Sequence, residues 1–314
     1  MIIKEISANA QSVRSVGELF GIEIEVESVY IPDDLSESIW NCIEDGSLRN
    51  SGVEFVSRPV TYADAMAGID RFYEWDERHS YQHTLRTSTH VHYNVLGFET
   101  AELHSALVAY SIVEPLLFRV CGHEREENIY CVPWYRAKQG HLTAGLGDES
   151  VRDMQLSCKY SALYLEPVTR FGTVEFRGAP VFEDALELKF WIDLIRAVMT
   201  NGPKMGEAAD VLELYDRRGA DWFVHEVFGE LAQKLKDICV DPFEDIIDDA
   251  DSISAASECI DLPYTYKVTE WPVAAAVDGD QTAGYHRRAV SIPMYHVADE
   301  EPDYDEEGYD EENY

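Results

Sequence analysis

The chain has 314 residues, 46% of them apolar, which is enough for one large domain or two small ones with a real core. Its 60 acidic residues against 25 lysines and arginines leave a formal charge of −35. That balance excludes the general phosphate-attracting surface of a nucleic-acid-binding protein.

Six cysteines form no CxxC pair and no zinc-finger spacing, so they read as reduced, mostly buried thiols. The N-terminus, MIIKEISANAQS, lacks an apolar signal core, and the longest apolar stretch, residues 106–118, is short and contains Glu114 and Pro115. The expectation is a cytoplasmic protein with no membrane span.

In chain order, residues 1–20 read as a lead-in strand and loop. GIEIEVES (21–28) alternates Ile22, Ile24 and Val26 with Glu23, Glu25 and Glu27. Successive strand side chains point to opposite faces, so these carboxylates share one face, with neighbours roughly 7 Å apart. Pro32 and the Asp33–Asp34 pair suit the start of a short helix over 33–41. Residues 45–48 form a turn, and GVEFVSRP (52–59) places Glu54 between Val53 and Phe55. A helix over 61–78 has Thr61 as N-cap and Ala65, Ile69, Phe72 and Trp75 at helical spacing.

THVHYNV (89–95) then sets His90, His92 and Asn94 against Val91, Tyr93 and Val95. A long helix over 100–120 is kinked or divided by Pro115. Residues 122–157 have few periodic signals and read as a functional loop, a lid or substrate loop. KYSALYL (159–165) leads to GTVEFRG (172–178), where Thr173, Glu175 and Arg177 share a face. A strong helix covers 183–200, and one or two more cover 205–238. Residues 299–314 hold ten acids and no base, and they read as a disordered tail that could dock on a basic protein partner.

If the four alternating strands share one sheet, its polar side gathers Glu23, Glu25, Glu54, His92 (or His90), Glu175 and Arg177. Carboxylates on one face repel unless a cation sits among them or the face is open to water. With an arginine added, the set suits a hard cation and a phosphate. The plainer alternative is a half-exposed antiparallel sheet. On that view Glu27 is a solvated or salt-bridged strand residue, His90 a hydrogen-bonded structural histidine, and Arg177 a partner for Glu175 or Glu54. The element order predicts an α+β fold, a curved and largely antiparallel sheet with helices on its outer side.

The ordered motifs FGIEIEVE, EDGSL with GVEFVSRP, THVHYNV, KYSALYL and GTVEFRGAP resemble the amidoligases of phage and bacterial genomes, in the glutamine-synthetase and glutamate–cysteine-ligase superfamily. The resemblance covers roughly residues 18–200. It implies a glutamine-synthetase-like half-barrel lined by carboxylates. It also implies an ADP-forming reaction in which ATP activates a carboxylate as an acyl phosphate and an amine displaces phosphate to give an amide.

The cofactors implied are ATP with Mg²⁺ or Mn²⁺. The substrates are a small-molecule or peptide carboxylate and an amine, handled in the cytoplasm (the host's, if the chain is phage-encoded). Glu23, Glu25, Glu54, His92 and Glu175 match the metal positions. Arg177 and Glu54 take the catalytic positions, while Arg125, Lys159, Arg177 and His92 lie nearest the nucleotide. The expected catalytic domain is 1–238, followed by a partly ordered extension over 239–296 and the tail, 297–314. Two competing readings stand beside it. One is a zinc- or iron-dependent hydrolase or cupin-like enzyme built on the HxH strand. The other is an inactive binding protein that retains the fold.

Overall fold

Alternation builds the sheet, and its centre is β1 (Phe20–Val26). Phe20, Ile22, Ile24 and Val26 are fully buried on one face, while Glu23 and Glu25 stand on the other. The computed structural model describes residues 17–27, 30–35, 38–50, 52–136 and 160–261. About 53% of these are helical, and the fold is α+β with an open six-stranded antiparallel sheet. The other strands are β2 (Trp40–Glu44), β3 (Val53–Ser57), β4 (Thr89–Asn94), β5 (Leu163–Tyr164) and β6 (Thr173–Ala179), in the order β2-β3-β1-β4-β6-β5. All pairings between neighbours are antiparallel. Of the segments read from sequence, residues 1–16, 137–159 and 262–314 lie outside the described residues; they include Lys159, most of the long loop and the acidic tail.

Helices cover the apolar face. Thr61 caps α1 (Tyr62–His79), its hydroxyl accepting from the Asp64 amide at 3.3 Å, and Ser80 ends the helix in the left-handed region at φ 53°. The buried side of α1 sets Phe72 and Trp75 against Phe55, with ring centroids 5.2 and 5.9 Å apart. Burying a ring such as Phe55 contributes about 2–3 kcal/mol. Gly68 allows β2 to approach α1. Trp40 Nε1–H donates to its carbonyl at 2.8 Å, and a Cβ there would lie 2.1 Å from Ile39 Cδ1.

The sequence reading of a helix through residue 41 is therefore corrected, since Trp40 opens an edge strand opposite Ser57. The pull is tertiary. A buried indole with a satisfied N–H outweighs weak local helix signals.

α2 (Thr100–Cys121) runs through Pro115 as one element. It is the one helix among the described residues long and apolar enough to cross a membrane, yet 89% of its apolar window is buried inside the protein. Glu114 lies fully buried on it. Its carboxylate accepts from Tyr110 Oη–H at 2.8 Å and from the amides of Trp134 and Tyr135 at 2.7 and 3.3 Å. Burial outweighs these bonds and pushes its pKa up to about 7.

Two short helices follow, α3 (His123–Glu126) and α4 (Glu166–Arg170), and then α5 (Ala185–Asn201), whose N-cap Asp184 accepts from two amides. Beyond a 3₁₀ turn (Gly202–Met205), the region read as one or two helices forms three: α6 (Ala208–Arg218), α7 (Ala220–Phe228) and α8 (Leu231–Ile238). Gly219 and Gly229, at φ 82° and 57°, break them. The segment after residue 238 continues as α9 (Phe243–Asp249) and α10 (Ser252–Asp261). Phe243, Ile246, Ile247, Ala256 and Cys259 join the same core as α2.

Candidate metal centre

The polar face of the sheet is organised by register. Across β1 and β4, Glu23 lies opposite His90 and Gly21 opposite His92. Across β4 and β6, His92 lies opposite Glu175, and across β1 and β3, Glu25 lies opposite Glu54. Directly opposed residues share a face, so the pairs Glu25–Glu54, Glu23–His90 and His92–Glu175 line one face across β3, β1, β4 and β6. Gly21 leaves the space that the His92 ring needs, since a Cβ there would come within 3.3 Å of His92 Cβ.

Two groups of donors converge. Glu23, His92 and Glu175 form one, and Glu23, Glu54 and His90 form the other. Within each group the ligand atoms lie within 4.8 Å of one another, and Glu23 belongs to both. His92 Nε2 is 3.5 Å from Glu23 Oε1 and 3.8 Å from Glu175 Oε2. His90 Nδ1 is 3.3 Å from Glu23 Oε2 and 3.6 Å from Glu175 Oε1. Thr173 Oγ1 holds the other nitrogen of His92 at 3.0 Å.

Burial opposes ionisation of Glu23, but bonds and charges from His90 and His92 outweigh it and hold the carboxyl well below its usual range. Burial likewise opposes the charge on His92, but Glu175 and Glu23 prevail and raise its pKa. The face concentrates negative charge, part of which His92 offsets.

Arg177 ion-pairs with Glu175 and lies 6.0 Å over the Tyr164 ring. Its Nε is buried and makes no hydrogen bond among the described residues. Of the residues expected from sequence, Glu23, Glu54, His92 and Glu175 fall in the donor groups, and Arg177 borders them. Glu25 shares the face but belongs to neither group; its Oε2 accepts from Ser88 Oγ–H at 2.5 Å.

Arg125 is buried and directed elsewhere, donating to the carbonyls of Gly178 and Arg177 at 3.1 and 3.0 Å. It braces β6 from its backbone side. Lys159 lies outside the described residues. Glu27 is not solvated: it is 3% exposed and accepts from the Arg49 amide at 2.9 Å.

The sequence reading held His90 only as an alternative to His92 or a structural histidine, and it missed Ser88. His90 joins a donor group in full rather than as a substitute for His92. Ser88 extends the Ser88–His90–His92–Asn94 alternation by one step, a signal that the reading of the strand from Thr89 cut off. The donor chemistry suits a divalent cation. Carboxylates fit Mg²⁺ or Mn²⁺, and the two imidazoles extend the fit to Mn²⁺, Co²⁺ and Zn²⁺.

A separate surface cleft of about 530 Å³ beside α1 is lined by Arg71, Asp34 and Glu74, whose charges pair with one another. No protein-family model matches the sequence, and no curated protein matches it.

Proposed function

We propose that the protein is an ATP-dependent carboxylate–amine ligase of the amidoligase type. The observation that carries this reading is the convergence of Glu23, Glu54 and Glu175 with two histidines beside Arg177, on one face of an open antiparallel sheet. The likeness of that sheet to a glutamine-synthetase half-barrel belongs to the same proposal.

Phosphoryl transfer from ATP needs positioning and charge neutralisation more than covalent help. A divalent cation, when bound, neutralises phosphate charge and polarises the phosphoryl oxygens. Glu23, Glu54, Glu175, His90 and His92 are the residues that would hold it. Arg177 has an Nε–H without a partner among the described residues, suited to an anionic oxygen of phosphate or substrate. Glu54 and Arg177 keep the roles assigned from sequence: Glu54 would help to hold a cation and Arg177 would meet the developing charge.

The deciding experiment is a coupled ADP-release assay with Mg²⁺ or Mn²⁺ over a panel of amines and carboxylates. ADP release that requires both an amine and a carboxylate supports the ligase. One observation favours a second reading: each donor group contains an imidazole, as hydrolytic zinc centres do. Tight stoichiometric Zn²⁺ with no nucleotide binding would select that reading.

A further inference from the structure

Ser88 immediately precedes β4 and is 5% exposed. Its Oγ stands 2.5 Å from Glu25 Oε2 and 2.9 Å from His90 Nε2. A serine hydroxyl has one proton, and a carboxylate only accepts. With that proton committed to Glu25, Ser88 can only accept from His90. His90 Nε2 then carries a hydrogen. The other nitrogen, Nδ1, faces Glu23 Oε2 at 3.3 Å, a hydrogen bond whenever that nitrogen carries a proton, and Glu175 Oε1 at 3.6 Å. A cation bound among those carboxylates would take the place of a proton on Nδ1.

We propose that Ser88 is a positioning residue, bonded to Glu25, that fixes His90 as the Nε2–H tautomer and makes His90 Nδ1 a cation ligand in the group with Glu23 and Glu54. The inference rests on the cation-dependent reading above and deepens it. It also gives Glu25 a different task from the one expected by sequence. Glu25 does not ligate; it holds the Ser88 proton and so sets the tautomer two bonds away. Metal-bound imidazoles commonly have their second nitrogen held by a carboxylate or carbonyl. Here a serine is inserted between carboxylate and ring, because Glu25 sits across the strand from Glu54 and not behind His90.

The test uses the full chain labelled with ¹⁵N-histidine. Long-range ¹H–¹⁵N spectra identify the His90 tautomer, assigned with His90→Gln, and ¹¹³Cd²⁺ titration identifies the coordinating nitrogen. The expected result is an Nε2–H ring with cadmium coupling at Nδ1. Ser88→Ala should weaken Cd²⁺ and Mn²⁺ binding by about 10–100-fold. Ser88→Thr, which keeps the hydroxyl, should bind within a few-fold of the parent.

An Nδ1–H tautomer in the parent protein, cadmium on Nε2, or unchanged affinity in folded Ser88→Ala would overturn the assignment. If Ser88→Ala does not fold, the parent spectra and Ser88→Thr still decide it. A parent protein that binds neither Mn²⁺ nor Cd²⁺ would overturn the cation reading itself. Binding that leaves His90 unshifted would overturn only the role given to Ser88.

Discussion

Replacing Glu114 by glutamine should make the protein more stable at pH 8, although the change removes a hydrogen-bonded charge from its core. Glutamine preserves the shape. Its carbonyl can accept from the Trp134 and Tyr135 amides, and its amide can donate to the Tyr110 hydroxyl, which accepts there where it donates to Glu114. What it removes is the cost of ionising a fully buried carboxyl.

In the folded protein Glu114 titrates at about 7, against 4.5 for an ordinary glutamate. A raised carboxyl pKa means that the folded state keeps its proton while the unfolded state has lost it. Stability therefore falls as pH rises from 4.5 toward 7 and is flat above that window. The difference corresponds to about 3 kcal/mol. Most of it develops between pH 5 and pH 8.

Other titrating groups are common to both proteins and cancel in the comparison, provided they lie far from residue 114. The assay is thermal unfolding of parent and Glu114→Gln at pH 5 and pH 8. The advantage of the variant should grow between the two by about 5–10 °C for a domain of this size. A gap that does not change with pH, or a variant less stable than the parent at pH 8, would refute the account of Glu114.

Arg177→Lys should lower ADP release by about 10²-fold with unchanged circular dichroism, because lysine keeps the charge but loses the planar fork; parent-like turnover would make Arg177 a structural partner of Glu175. Mn²⁺ at 100 times its Kd should stabilise the parent by about 2.7 kcal/mol. Glu23→Gln should lose most of that gain because Glu23 serves both donor groups, and an equal thermal shift in the two proteins would count against the shared role. Deleting residues 299–314, with their ten acids and no base, should leave the melting temperature and ADP release unchanged; a large drop would show that the segment packs on the domain.

The polar face was legible because β-strand alternation is a two-residue code, and Glu23, Glu54, His92 and Glu175 each sat at its centre. What sequence could not supply was register. Only pairing shows that Glu23 meets His90 while Glu25 meets Glu54, and that Ser88 takes Glu25 away from the donor groups. Arg125 looked like a nucleotide residue because a guanidinium carries no local sign of its tertiary partners; its donors go to carbonyls more than 50 residues later in the chain. β2 was hidden for a related reason. WNCIE lacks alternation, and Trp40 is drawn into the sheet by a pocket that α1 provides.

The sheet is open, and its two borders differ. β5 is two residues long, too short to template another strand. β2 is five residues long, has only β3 beside it among the described residues, and leaves Ile43 37% exposed. Such a border invites pairing with a second molecule. Electrostatic repulsion between chains of charge −35 works against that encounter. At about 1 M salt the Debye length shrinks to about 3 Å, and the same border loses its guard. Colloidal behaviour is thus tied to ionic strength through one short strand, and self-association at high salt is expected to begin at Trp40–Glu44.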